Sequence, residues 1–272
     1  MTAALIAQVA HGPRRFNKAV VQPGQRLVVG SAPDVDWPLA DLGLAAHQLE
    51  LRWDGETGQL RHLGGAEPTW FEGQAVDRCD VGHGAWIRCG AADLTLARER
   101  HSPPDDPVEP AVLAAAARPL ARLRAVQTPL YAVVDASRSL RIPVLLRESP
   151  DPMRSLYDGV QADTLAESAP YLVTLTGGHL LADLVHEGWK RRWCTFLTAP
   201  ASLAEDDVRR HLRKFLMVQL ERTGETAYFR YYDPYVLRSY LASCAPDERR
   251  AFLGPLTFLA LDDDGVIHTL TA

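Results

Sequence analysis

Three kinds of side chain in this sequence could support chemistry: nucleophiles, metal ligands and phosphate cradles. Ser137, Cys194 and Cys244 are the nucleophile candidates, and none has a base at a recognisable spacing. There is no Gly-x-Ser-x-Gly elbow and no P-loop. Gly177-Gly178 precedes an apolar helical pattern and reads as a turn. His179, His186 and His211 are too spread for an i, i+4 metal pair on one helix. His186-Glu187 lacks the second histidine of a zincin motif. Asp262-Asp263-Asp264-Gly265 lacks the alternating ligands and distal glutamate of a calcium loop, and reads as a solvated turn between strands at 256–261 and 266–270. No set of catalytic roles can be named, so the sequence predicts a protein that is not an enzyme and uses neither metal nor cofactor.

The side chains better suited to recognition are aromatic and cationic. Residues 228–240 include Tyr228, Phe229, Arg230, Tyr231, Tyr232, Tyr235 and Tyr240. Trp189 and Trp193 flank Lys190, Arg191 and Arg192. Tyr, Trp and Arg are the types that anchor protein interfaces. Trp189, Trp193, Arg230, Tyr231, Tyr232, Asp233 and Tyr235 are therefore the candidate partner-binding residues. The competing reading is a packed core, because aromatic stripes usually face inward. Alternation along a strand at 226–232 would put Tyr228, Arg230 and Tyr232 on one face and Phe229 and Tyr231 on the other. Arg230 would then pair with Asp233 or Asp135. Trp189 and Trp193 fit either a helix-end stripe or a passage from loop to strand.

Mixed strands and helices must position these residues. Residues 131–135 and 143–147 read as buried strands. Ser202-Leu-Ala-Glu205 has the form of a capping box, and Val208, Leu212, Phe215 and Leu216 form one apolar helical face after it. Asp206 and Asp207 lie at the positive end of that helix. Residues 216–220 and 226–232 read as a strand pair around a turn at Gly224. Asp233-Pro234 reads as N-cap and first helical residue, and a further helix runs from Pro246 to Gly254-Pro255.

The chain has 272 residues, 47% hydrophobic and 23% charged, an ordinary globular composition. Its net charge of −5 argues against a basic nucleic-acid binder. No stretch approaches a membrane span, and the apolar run at the start has no basic residue before it, so it reads as a strand. Cys79, Cys89, Cys194 and Cys244 have no zinc or redox spacing, and reduced thiols in the cytoplasm are the expectation. The clearest break is residues 98–110, with four prolines and six charged residues. A short Ala-rich helix at 111–118, interrupted by Pro119, is expected after it. Before the break, short alternating segments are closed by Gly, Pro and Asp, with a hairpin signal at Asp54-Gly55. That pattern predicts a β-sandwich.

Residues 20–97 resemble a forkhead-associated (FHA) domain. Gly30 ends a strand, His47 starts the next, Thr69-Trp70-Phe71-Glu72-Gly73 matches the segment with the family's threonine, and Val81 to Gly90 matches its late strand. The resemblance implies a β-sandwich that binds phosphothreonine peptides. The sequence departs from the family at the binding loops. Ser31 replaces an arginine, Leu44 and Ala45 replace Ser-Arg, and Glu67-Pro68 replaces Asn-Gly. Phosphate needs charge-assisted donors at close range. The loop positions Gly30, Ser31, Leu44, Ala45, His47, Glu67 and Thr69 are thus a degenerate set, and a scaffold sandwich is expected, with His47 and Thr69 holding loops. A phosphothreonine-peptide-binding signalling module is the alternative.

Residues 131–261 resemble the adaptor-chaperones of bacterial type VI secretion (Tap/TEC proteins). The matching pieces include residues 131–136, 142–146, 155–159 and 169–173, Gly188-Trp189 with Trp193, residues 228–237 and 252–255, in consistent order. The resemblance implies a non-catalytic protein of the donor cytoplasm that holds a cognate effector and helps load it onto the VgrG spike. It implies no nucleic-acid or membrane partner. The expected organisation is an all-β FHA-like sandwich at 1–97, a Pro/Ala-rich linker at 98–125 and an α/β (α+β) adaptor domain at 126–272.

Overall fold

Alternating apolar residues separated by frequent turn formers build the first part of the chain from short strands. The computed structural model describes residues 3–12, 14–219 and 224–272. The chain divides into two units, Met1–Pro103 with Arg147–Pro152, and Pro104–Leu146 with Met153–Ala272.

The first unit is a β-sandwich. Its strands are β1 (Leu5–Val9), β2 (Lys18–Val21), β3 (Arg26–Gly30), β4 (Trp37–Pro38), β5 (Leu49–Trp53), β6 (Gly58–His62), β7 (Thr69–Phe71), β8 (Gln74–Ala75), β9 (Arg78–Val81), β10 (Trp86–Cys89) and β11 (Ala92–Arg98). They form two sheets, ordered β2-β1-β11-β10-β7-β8 and β4-β3-β5-β6-β9. The inward residues of both, among them Leu5, Val29, Leu51, Trp53, Leu60, Ile87 and Leu94, make one core. The hairpin expected at Asp54-Gly55 joins β5 to β6, with Trp53 opposite Gly58. The Asp54 carboxylate accepts from the Glu56 and Thr57 N–H groups at 2.7 Å.

The second unit is α+β. It contains α1 (Pro110–Arg124), β12 (Leu130–Asp135), α2 (Arg141–Arg147, its last residue in the first unit), β13 (Met153–Ser155), α3 (Gly159–Thr164), β14 (Pro170–Leu175), α4 (Leu180–Gly188), β15 (Cys194–Thr198), α5 (Glu205–Arg213), β16 (Met217–Gln219), β17 (Thr226–Tyr228), α6 (Pro234–Ser243), α7 (Pro246–Leu253), β18 (Thr257–Leu261) and β19 (Ile267–Leu270). One antiparallel sheet runs β13-β14-β12-β15-β18-β19, and β16-β17 is a separate hairpin. β12 is buried along its whole length, as the continuous apolar run predicts.

Four local expectations are corrected. Residues 143–147 are helix, not strand: Ile142, Leu145 and Leu146 bury one helical face, and a short apolar run does not separate the two by periodicity. Pro119 lies inside α1 without ending it. Its missing N–H costs one helical bond, while Pro119, Leu120 and Leu123 are buried together on one side. This helix occupies most of the segment read as a linker. Ser202 does not cap α5, which starts from Ala204. Residues 200–203 form a turn closed by Leu203 N–H on the Pro200 carbonyl, and the Glu205 carboxylate accepts from Thr174 Oγ1 at 2.8 Å instead. Finally, the strand at 226 stops at Tyr228. Its partner β16 is three residues long, and the chain then turns, with Asp233 N–H donating to the Arg230 carbonyl.

Candidate interaction surface

That turn removes the strand alternation expected of residues 229–232. Tyr231 and Tyr232 are both buried, and the Tyr231 hydroxyl donates to the Leu212 carbonyl at 3.0 Å. The aromatic run packs around Phe252, whose ring lies 5.0–5.8 Å from those of Phe215, Phe229, Tyr231, Tyr240 and Phe258. Most of the candidate aromatic stripe is core.

Its charged members form a crossed set. Asp135 ends β12 and accepts from the Ser137 N–H and hydroxyl. Asp233 caps α6, accepting from the Tyr235 and Val236 N–H groups. Both carboxylates are buried. Arg230 donates to Asp135 and, at 2.9 Å, to Ser137 Oγ. Arg138 donates to Asp233 at 2.5 Å and lies 3.6 Å from Asp135. Of the two partners expected for Arg230, Asp135 is the one it bonds. Burial opposes the charge on Arg230, but the Asp135 carboxylate outweighs it and raises the guanidinium pKa. Arg138 was not among the candidates, although its i, i+3 spacing from Asp135 was a usable signal. The arrangement ties the turn after β12 to the start of α6, and it holds the hydroxyl of Ser137, one of the nucleophile candidates, between Asp135 and Arg230.

The second group reaches the surface. After α4 the chain makes the loop-to-strand passage, with Trp189 at the helix end and Trp193 buried just before β15. Gly188 packs closely there, since a Cβ would lie 3.0 Å from the Trp193 ring. The Trp189 indole N–H donates to the Asp262 carbonyl at 3.1 Å. Lys190 and Arg192 have positive φ, 61° and 57°. Three cations in succession lie over aromatic rings: Lys190 on Trp189 and Arg191 on Trp193, each at 5.8 Å, and Arg192 on Tyr235 at 4.8 Å. Tyr235 is 61% exposed. Of the seven candidates, Trp189, Arg230 and Tyr235 thus reach solvent, while Trp193, Tyr231, Tyr232 and Asp233 are interior.

In the sandwich, the loop positions are held by backbone and neutral groups. A Cβ on Gly30 would meet the Ala46 carbonyl oxygen at 2.1 Å, so only glycine fits. Ser31 N–H donates to the Ala45 carbonyl. Leu44 is buried, and His47 and Glu67 are exposed. The bracing expected of His47 is done by its neighbour Gln48. Its amide accepts from the Ala45 N–H at 2.9 Å and donates to the Glu67 carbonyl and Thr69 Oγ1. Thr69 is buried and also meets His62 Nδ1 at 3.0 Å. On the outer face of β5, the buried Glu50 lies 2.8 Å from Arg52, 3.4 Å from Arg26 and 3.9 Å from Arg61. The Arg52 hydrogen bond pulls the Glu50 pKa down, against the opposing effect of burial.

Among the described residues no group of three or more His, Cys, Asp or Glu is placed to hold a metal ion. The four cysteines are free, and burial pushes the Cys89 and Cys194 thiols up to about 12, the opposite of activation. No helix among the described residues is long and apolar enough to cross a membrane.

Comparison with known proteins finds likenesses in both parts of the chain. Residues 130–251 match the family model DUF4123, described as a domain of unknown function. That match spans less than half of the chain. The N-terminal sandwich is similar to FHA domains of solved structure. One, from a study of phosphothreonine-dependent FHA domain interactions, is 24% identical, covers 35% of this chain and 95% of its own, and has a TM-score of 0.32. An FHA domain of an Arabidopsis thaliana hypothetical protein is 22% identical over 39% of this chain and 92% of its own, with a TM-score of 0.34. The cytoplasmic domain of the T3SS sorting platform protein PscD from P. aeruginosa is 25% identical over 38% and 87%, with a TM-score of 0.33. No curated protein matches the chain.

Proposed function

We propose that this protein is a non-catalytic adaptor-chaperone that binds a cognate type VI secretion effector in the donor cytoplasm and helps load it onto the VgrG spike. The observation that carries the proposal is the DUF4123 match over 130–251. It coincides with the ordered motifs from residue 131 onward that resemble effector adaptors. The geometry supports a recognition role: the described residues of the second unit offer a rim of Trp, Tyr and Arg side chains. The sandwich is a scaffold in this reading, since its loop positions lack the arginines a phosphate needs. Co-purification of the tagged full chain with the product of an adjacent gene tests the proposal. Specific capture of that product is expected; its absence from the eluate when both are expressed would count against the adaptor role.

A further inference from the structure

Lys190 and Arg192 occupy the left-handed backbone region, where a side chain costs free energy that glycine does not. Two such residues fall within a five-residue passage, and strain of this kind persists where the surroundings impose it, often at functional sites. Both positions carry long cations where glycine would be the cheaper choice. The side chains are exposed at Lys190 and Arg191 and partly exposed at Arg192. They project beside Tyr235 and the half-buried Trp189.

The acids nearest this loop leave it cationic. Asp263 approaches Arg192 only at 4.0 Å. The Asp262 carboxylate is taken up by His268 at 2.6 Å and by the Asp264 and Val266 N–H groups. Glu187 is held by Arg141 at 2.9 Å. Three adjacent positive side chains over an aromatic base suit an anionic partner, and guanidinium forks match carboxylates in particular. A nucleic acid is the poorer fit. The rings here are covered by cations or buried, which leaves no open stacking platform, and the chain as a whole is acidic.

We infer that residues 189–193 with Tyr235 form a docking surface for an acidic, Asp/Glu-rich segment of a protein partner. The inference deepens the adaptor reading and relies on it only for the identity of that partner.

The test uses the full chain and a fluorescein-labelled Asp/Glu-rich peptide, with anisotropy read at low salt. The double variant K190G/R192G should bind about tenfold more weakly, the scale of losing an interface anchor. Its unfolding midpoint should equal or exceed that of the parent, because the strain is relieved. Y235A should weaken binding without the backbone change. The control R210A/R250A, which removes two exposed arginines elsewhere, should bind normally. No binding of the peptide by the parent would overturn the inference. So would equal loss in the control, or a K190G/R192G protein that is less stable yet binds normally. An RNA oligonucleotide of equal charge that bound as tightly would replace the partner class and overturn it too. If peptide binding fails while co-purification persists, the adaptor role stands and this surface is wrong; the reverse result separates them the other way.

Discussion

Arg138 Nη2 donates to the Asp233 carboxylate at 2.5 Å, tying the turn after β12 to the first turn of α6. The same carboxylate caps that helix through the Tyr235 and Val236 N–H groups. One buried side chain thus does two jobs. D233A should cost about 2–3 kcal/mol, combining the loss of a helix cap with the loss of a partner for the part-exposed Arg138. D233N should cost less, because asparagine still caps a helix. Denaturant midpoints measure both; equal, small shifts would mean the carboxylate contributes little.

Arg230 offers a related prediction with a smaller expected effect. Its side chain is 40% exposed, so the pair with buried Asp135 is partly screened. R230A should destabilise by about 1–3 kcal/mol, since it leaves Asp135 to the more distant Arg138. R210A, at an exposed i, i+3 pair with Asp207, should be near neutral. Unchanged melting in R230A would place Arg230 among surface residues.

Glu50 makes the sandwich sensitive to acid. Its pKa is lowered from the ordinary 4.5, chiefly by the Arg52 hydrogen bond. A carboxylate with a depressed folded-state pKa contributes stability that is fully present above the unfolded value. That contribution is lost as pH falls through the folded value. Stability of the parent should therefore drop as pH is taken below about 4.5. E50Q should be less stable at neutral pH and lose less over the same range. Parallel pH profiles for the two proteins would contradict the assignment.

The sandwich was legible because its strands alternate and its turns carry Gly, Pro and Asp: β3 and the Asp54 hairpin fall where those signals put them. Asp233-Pro234 was equally plain, since an N-cap followed by proline is a strictly local device. What failed depended on packing and pairing rather than on local signals. Residues 143–147 became helix by burying Ile142, Leu145 and Leu146. Strand β17 stopped where its short partner ended. The Glu205 carboxylate went to Thr174 rather than back to its own helix start. The same holds for the surface. Aromatic composition marked 228–235, but only packing on Phe252 decides that Tyr231 is interior, and the backbone of 189–193 decides that three cations face outward together.

Delivery of an effector is what the proposed role requires of this chain. Its most direct measurement is the amount of the adjacent gene's product secreted by a strain in which this gene is deleted, with spike protein in the same supernatant as the reference. The account predicts that the effector disappears from the supernatant while the spike continues to be released, and that the intact gene restores it. Undiminished effector secretion in the deletion strain would contradict the account.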